Sequence, residues 1–213
     1  MSNYPNGIIK GVLLVMKNKF KTVADKRLVI GMSGASGAVL GIDILKVLRE
    51  ISGWETHLVI SRGAELTIAQ ETEYTLDEVK NLADKVHDIK NIGASIASGS
   101  FKTEGMVIVP CSMKTVAGIA CGYSENLLLR AADVVIKEKR TLVVVPRESP
   151  LSTIHLRNML SLADTGASII PPMVTYYNAP ITLADMNRHI VAKILDKFGI
   201  EVSGFKRWGE TAL

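Results

Sequence analysis

Arg27–Ala38 reads RLVIGMSGASGA, and the helical pattern VLGIDILKVLRE follows at once over residues 39–50. The first six residues form a short apolar run rich in branched side chains. Glycines and serines come next, and then apolar positions recur every three or four residues. A buried strand, a tight turn and an amphipathic helix in that order make the opening of a strand–helix–strand unit. Gly34 and Gly37 let the backbone turn tightly and approach a ligand closely. N–H groups at the helix start, with the helix dipole, favour an anion. The pattern is neither the GxGxxG dinucleotide fingerprint nor the GxxxxGK[ST] phosphate loop. A plain tight turn stays open beside a phosphate site.

The same alternation continues along the chain. ETHLVIS (55–61) is a second strand, followed by the helix-like GAELTIAQE. Glu73–Asn91 is polar and reads as a short helix within a long connection. GMVIVP (105–110), TLVVVP (141–146) and ASIIPP (167–172) are three further strands. Between them lie ENLLLRAADVVIKEK, LSTIHLRNMLSLADTG and TLADMNRHIVAKILDKFG; the last two end on glycine, as a helix C-terminus favours. Apolar strands alternating with amphipathic helices predict an α/β fold, a Rossmann-like three-layer αβα domain with a mainly parallel sheet. A single domain over 27–213 is expected, preceded by a basic N-terminal arm over 1–26.

Composition narrows the function classes. The chain has 213 residues, 47% hydrophobic and 22% charged, an ordinary globular balance large enough for one substantial core. Its net charge of +4 and 5% aromatic content form no basic stripe with interleaved rings, which argues against nucleic acid. No apolar run approaches the ~18 residues of a membrane span. Cys111 and Cys121 make no disulfide framework and have no metal-ligand spacing; free thiols in a reducing cytoplasm are expected. The four histidines are scattered, so no protein-ligated metal is expected.

In an open parallel sheet, ligands bind beyond the carboxyl ends of the strands, near a switch in strand order. The residues there are SGASGA, SRGAE, PCSMKT, PRESP and PPMVTYY. Ser61 can cap the next helix or reach a ligand. In VPCSMKT (109–115), the proline stops the strand and Ser112 or Thr115 can cap, while Lys114 is either a solvated lysine or a phosphate contact. Arg130 and Lys137 share a helix face two turns apart; Asp133 and Lys137, at i and i+4, can also form an ordinary helix pair. Glu71 has the position of a surface helix residue.

Taken together these segments resemble the UbiX-type flavin prenyltransferases, including the B subunits of hydroxyarylic acid decarboxylase systems. The resemblance is carried over residues 27–210 by SGASGA, ETHLVIS, ASGSF, PCSMKT, RAADVVIKEKR, VPRESPLSTIHLRNML, GASIIPP, TYYNAP and the terminal RWGE. It implies a metal-independent transferase that forms a homo-oligomer, typically a dodecamer. Such an enzyme joins the prenyl group of dimethylallyl phosphate to N5 and C6 of reduced FMN, and the prenylated FMN serves a UbiD-type decarboxylase. By position, the resemblance assigns FMN binding to Gly34, Ala35, Ser36, Ser61, Ser112, Met113, Lys114, Thr115 and Arg147. It assigns dimethylallyl phosphate to Tyr177 and Lys193, with Arg130, Lys137 and Glu148 around the phosphate, and later ring-forming chemistry to Glu71. Lysine stands at 193 where some members carry arginine, which keeps the charge but loses a bidentate grip. Two rival readings are an FMN carrier subunit and an FMN-dependent cysteine decarboxylase. Against the latter, the chain has PCSMKT in place of a PASANT-type segment and no histidine before His57.

Overall fold

The computed structural model describes residues 26–205, 207 and 209, so the N-terminal arm up to residue 25 lies outside the described residues. Six strands form one sheet: β1 Lys26–Met32, β2 Trp54–Ile60, β3 Lys85–His87, β4 Gly105–Cys111, β5 Thr141–Pro146 and β6 Ser168–Ile169. Their order is β3-β2-β1-β4-β5-β6, and every neighbouring pair is parallel. The helices are α1 Ala38–Glu50, α2 Arg62–Glu71, α3 Leu76–Lys80, α4 Met113–Ala120, α5 Leu127–Lys137, α6 Thr153–Asp164 and α7 Leu183–Leu195. No helix among the described residues is long and apolar enough to cross a membrane.

Alternating side chains on each central strand feed two separate cores, which is why these strands read as continuous apolar runs. Leu28, Ile30, Leu58, Val107 and Val143 pack with α1, α2 and α7. Val29, Val59, Ile108 and Val144 pack on the other face with α4, α5 and α6. Each large side chain so buried contributes about 1.5–3 kcal/mol. The expected three-layer αβα architecture is therefore present.

Three local expectations need correction. Glu73–Asn91 holds not only a helix (α3) but also β3, a three-residue edge strand paired with β2. The C-terminal strand is cut to Ser168–Ile169, because Pro171 and Pro172 have no N–H to continue the ladder. Pro110 does not stop β4. The strand runs on to Cys111 across a register irregularity between Ile108 and Cys111, and the Pro110 carbonyl accepts from Ser33 N at 3.0 Å. Elsewhere the sequence signals hold: Gly166 and Gly199 follow their helices with φ of 90° and 68°, in the left-handed region.

Candidate active site

The strand order reverses between β1 and β4, and the chain leaves these strands for helices on opposite faces of the sheet. Their carboxyl ends are tied by Ser33, a buried hydroxyl residue. Ser33 Oγ donates to the Pro110 carbonyl at 3.3 Å and accepts from Ser112 N at 2.8 Å. Beside this tie opens a cleft of about 880 Å³, lined by Ser33, Gly34, Ser61, Ser112, Lys114 and Thr115.

Three helix N-termini converge on the cleft, and each is closed by a side chain that also lines it. Ser61 Oγ accepts from Ala64 N at 3.2 Å, Ser112 Oγ from Thr115 N at 3.3 Å, and Asn126 Oδ1 from Leu129 N at 3.1 Å. The cap and ligand readings of Ser61 and Ser112 thus do not exclude each other. Capping uses one N–H of each first turn, and the remaining N–H groups and the helix dipoles make the cleft electropositive. Among the described residues, Arg62, Lys90 and Lys114 add three cationic side chains to the lining against one acid, Glu125. Gly34 passes so close to Gly63 that a Cβ there would lie 2.8 Å from the Gly63 Cα. Backbone rather than side chain therefore forms this part of the floor.

Not every expected residue points into the cleft. The Met113 side chain is buried in the second core, which leaves only its main chain for a ligand. Ser36 and Arg147 line a smaller neighbouring hollow of about 200 Å³, with Gly37 and Asn187. Ala35 is half-buried, and its N–H donates to the Ser33 carbonyl at 2.8 Å. The Cys111 thiol, at the end of β4, is pushed up to about 12 by burial and is a packing group rather than a nucleophile.

The anion expected at the start of α1 is already present in the chain. Glu71, the last residue of α2, accepts from Gly37 N at 2.8 Å and from Ala38 N at 3.2 Å. Its carboxylate caps a helix that has no side-chain cap at Gly37 itself. Glu71→Ala should therefore lower the free energy of unfolding by about 1 kcal/mol, measured by urea denaturation. Glu71→Gln keeps an acceptor and should cost less, so an enzymatic defect in that variant reports on chemistry rather than stability. Equal stability of wild type and Glu71→Ala would remove the cap.

The expected phosphate cluster is dispersed within one chain. Arg130 donates to Asp133 Oδ2 at 2.6 Å and to the Ala97 carbonyl at 3.3 Å. Asp133 thus pairs with Arg130 one turn earlier rather than with Lys137, whose ammonium lies 3.2 Å from Glu138. The N-terminus of α5 lines the cleft, whereas Lys137 ends the helix, about 15 Å further on at 1.5 Å per residue. There α5 meets Gly99, and Arg140 holds the Gly99 and Phe101 carbonyls just before β4 begins. Lys137 lies at the amino edge of the sheet, away from the cleft. Glu148 is exposed beyond β5, and its carboxylate accepts from Ser149 N at 3.0 Å. Tyr177 contacts His189, which stands one turn before Lys193 on α7. The Tyr177 hydroxyl is 3.2 Å from His189 Nε2, and burial, aided by the Lys193 charge, holds that imidazole below its ordinary value.

Ser33, Asn126 and Lys90 are site residues that the sequence reading did not single out. Asn126 carried a signal, a capping side chain directly before an apolar helical run. Lys90 carried none, since it stands in the polar connection and reaches the cleft through the tertiary fold.

A parallel αβα sheet with an electropositive cleft at its switch point defines a Rossmann-like flavoprotein architecture, and the family described as Flavoprotein matches residues 16–199. A probable UbiX-like flavin prenyltransferase of Sedimentibacter hydroxybenzoicus is 56% identical over 185 residues, 87% of this chain and 98% of that protein. Two solved structures superpose closely. The dodecameric FMN-dependent UbiX-like decarboxylase of Escherichia coli O157:H7 gives a TM-score of 0.84 at 53% identity, covering 85% of this chain and 98% of that one. AnUbiX (PadA1), in complex with FMN and dimethylallyl pyrophosphate, gives 0.85 at 46% identity, covering 88% and 99%. The chain belongs to the UbiX-like flavin prenyltransferases of the flavoprotein family.

Proposed function

We propose that this protein is a flavin prenyltransferase. It joins the dimethylallyl group of dimethylallyl phosphate to N5 and C6 of reduced FMN, releases phosphate, and supplies prenylated FMN to a UbiD-type decarboxylase. The observation that carries this reading is the convergence of three capped helix N-termini on one cleft with a bare backbone floor at Gly34. That donor set fits FMN, whose phosphate and ribityl hydroxyls need N–H and hydroxyl partners, and the cleft is large enough for it. Ser61, Ser112, Lys114 and Thr115 would hold the cofactor, with Ser36 and Arg147 at the adjoining hollow.

Reduced FMN supplies the nucleophilic atoms, so the protein needs no triad of its own. Its task is to stabilise the departing phosphate and the cation-like prenyl fragment. Arg130, Lys137 and Lys193 can offset the phosphate charge without a metal, and Glu148 can deliver a proton to a phosphate oxygen. Because Lys137 lies at the amino edge of its own sheet, it acts in the cleft of a neighbouring copy. Exposed apolar side chains support such assembly: Ile154 and Leu160 on α6, and Met173, Tyr176 and Ile181, the last 93% exposed, in the segment before α7. A homododecamer is the form we propose. A cytoplasmic location belongs to the same reading, in keeping with two free cysteines.

The test is an anaerobic assay of the purified protein with reduced FMN and dimethylallyl phosphate, run in parallel with dimethylallyl pyrophosphate. Mass spectrometry of the released flavin should show one added C5H8 unit. Tight FMN binding without that gain would overturn the transferase reading in favour of a carrier subunit.

A further inference from the structure

His57, which is buried, and His87, which is half-buried, form an imidazole pair that the reaction does not use. His57 Nδ1 lies 2.9 Å from His87 Nε2, and the rings stack with centroids 5.2 Å apart. His57 is 2% exposed, on β2; His87 is the last residue of β3. Glu55 Oε1 lies 3.2 Å from His57 Nε2, though off the line of a hydrogen bond, and favours a proton on that nitrogen. His57 Nδ1 is then the acceptor, and His87 Nε2–H the donor. The remaining charged neighbours are Arg27 on β1, which meets Glu55 at 3.5 Å and stacks on Phe101, and Lys85 on β3; Arg140 holds the Phe101 carbonyl from behind.

The pair sits where β3 needs it. This edge strand is three residues long, and its one apolar residue, Val86, is 45% exposed. At its start, Asp84 is latched to the Thr56 N–H and hydroxyl at 2.9 and 3.0 Å. At its end, the imidazole pair is a side-chain contact to β2. Two residues further on, Ile89 accepts from Leu127 N at 2.8 Å, and Ile89 and Lys90 form a wall of the cleft.

We infer that His57 and His87 are a positioning pair, which pins the Ile89–Lys90 wall of the cleft while neutral and releases it on acidification. A hydrogen bond between two imidazoles needs one lone pair, so the pair accommodates one proton but not two. Burial, the larger cause, holds both rings below their ordinary value; Arg27 and Lys85 add to this, and Glu55 only partly opposes it for His57. A depressed histidine binds fewer protons folded than open. The pinned state is therefore fully favoured above about pH 6.5, and loses ground as pH falls below that value.

The inference rests on the cleft being the FMN site, and its test separates the two claims. FMN affinity of the full-length protein, read by flavin fluorescence, should fall from pH 7.5 to 5.5. Amide hydrogen exchange across residues 85–90, without flavin, should quicken over the same range. His87→Gln places an amide N–H near the position of Nε2 but does not titrate. It should keep the neutral-pH affinity and make both profiles shallower, since His57 alone then titrates; the titration of the FMN phosphate itself is common to both proteins. His87→Leu should weaken binding at every pH. Identical pH profiles for wild type and His87→Gln would overturn the inference. If no FMN binds at any pH, the functional reading fails, and the exchange profiles alone decide whether the pair pins the wall.

Discussion

Lys137→Ala is expected to lower prenyl transfer by about 10²–10³-fold, the loss typical of removing one charge-stabilising donor, with FMN binding intact. Lys137 ends α5, while the other end of that helix lines the cleft, which is why the proposed reading assigns the ammonium to the cleft of a neighbouring copy. Removing it leaves the helix caps at Ser61, Ser112 and Asn126 and the cofactor floor untouched. The two measurements are single-turnover transfer under anaerobic conditions and flavin titration of the same preparation. Near-normal turnover would remove Lys137 from the mechanism. Mixed oligomers sharpen the result. Lys137→Ala protomers assembled with protomers disabled at the floor by Gly34→Ala should regain activity, because an intact cleft then meets an intact lysine from the neighbour. No recovery in mixed oligomers would confine the site to one chain.

Gly34→Val is expected to lower FMN affinity by about two orders of magnitude, equivalent to ~3 kcal/mol, the upper range for overpacking a close contact. A Cβ at Gly34 meets main chain at Gly63, 2.8 Å to Cα and 3.0 Å to the carbonyl carbon, and main chain cannot rotate away as a flexible side chain can. Relief requires β1's turn and the first turn of α2 to separate. That moves Ser61, whose N–H is held by the Met32 carbonyl at 2.9 Å, out of line with the cleft. Flavin fluorescence titration measures the affinity, and a thermal melt of the same protein distinguishes a spoiled floor from a failure to fold. Wild-type affinity in a folded Gly34→Val protein would show that the cofactor does not rest on this backbone.

What could be read from residues alone follows from where each residue gets its partners. β1, β2, β4 and β5 are buried on both faces, so burial wrote itself as unbroken apolar runs, and the helices between them carry the stripes that cover those faces. β3 was missed because Lys85-Val86-His87 is too short and too exposed to show any period, and its support comes from β2. The hydroxyl caps at Ser61 and Ser112 were legible because a cap bonds within three residues of itself. Glu71 was not, since its partners at Gly37 and Ala38 lie 34 and 33 residues away. Lys137 shows the same limit more sharply: periodicity put it on one face with Arg130, but only the fold puts its end of α5 at the far edge of the sheet.

The two strands that border the sheet, β3 and β6, have three and two residues. Such stubs expose too little unpaired main chain for another copy to dock as an added strand, so the sheet offers no route to indefinite growth. The proposed assembly therefore rests on side-chain contacts, on surfaces such as α6 and the Met173–Ile181 segment. Side-chain surfaces have fixed shapes and angles, which is the condition for a closed, countable particle rather than a fibre.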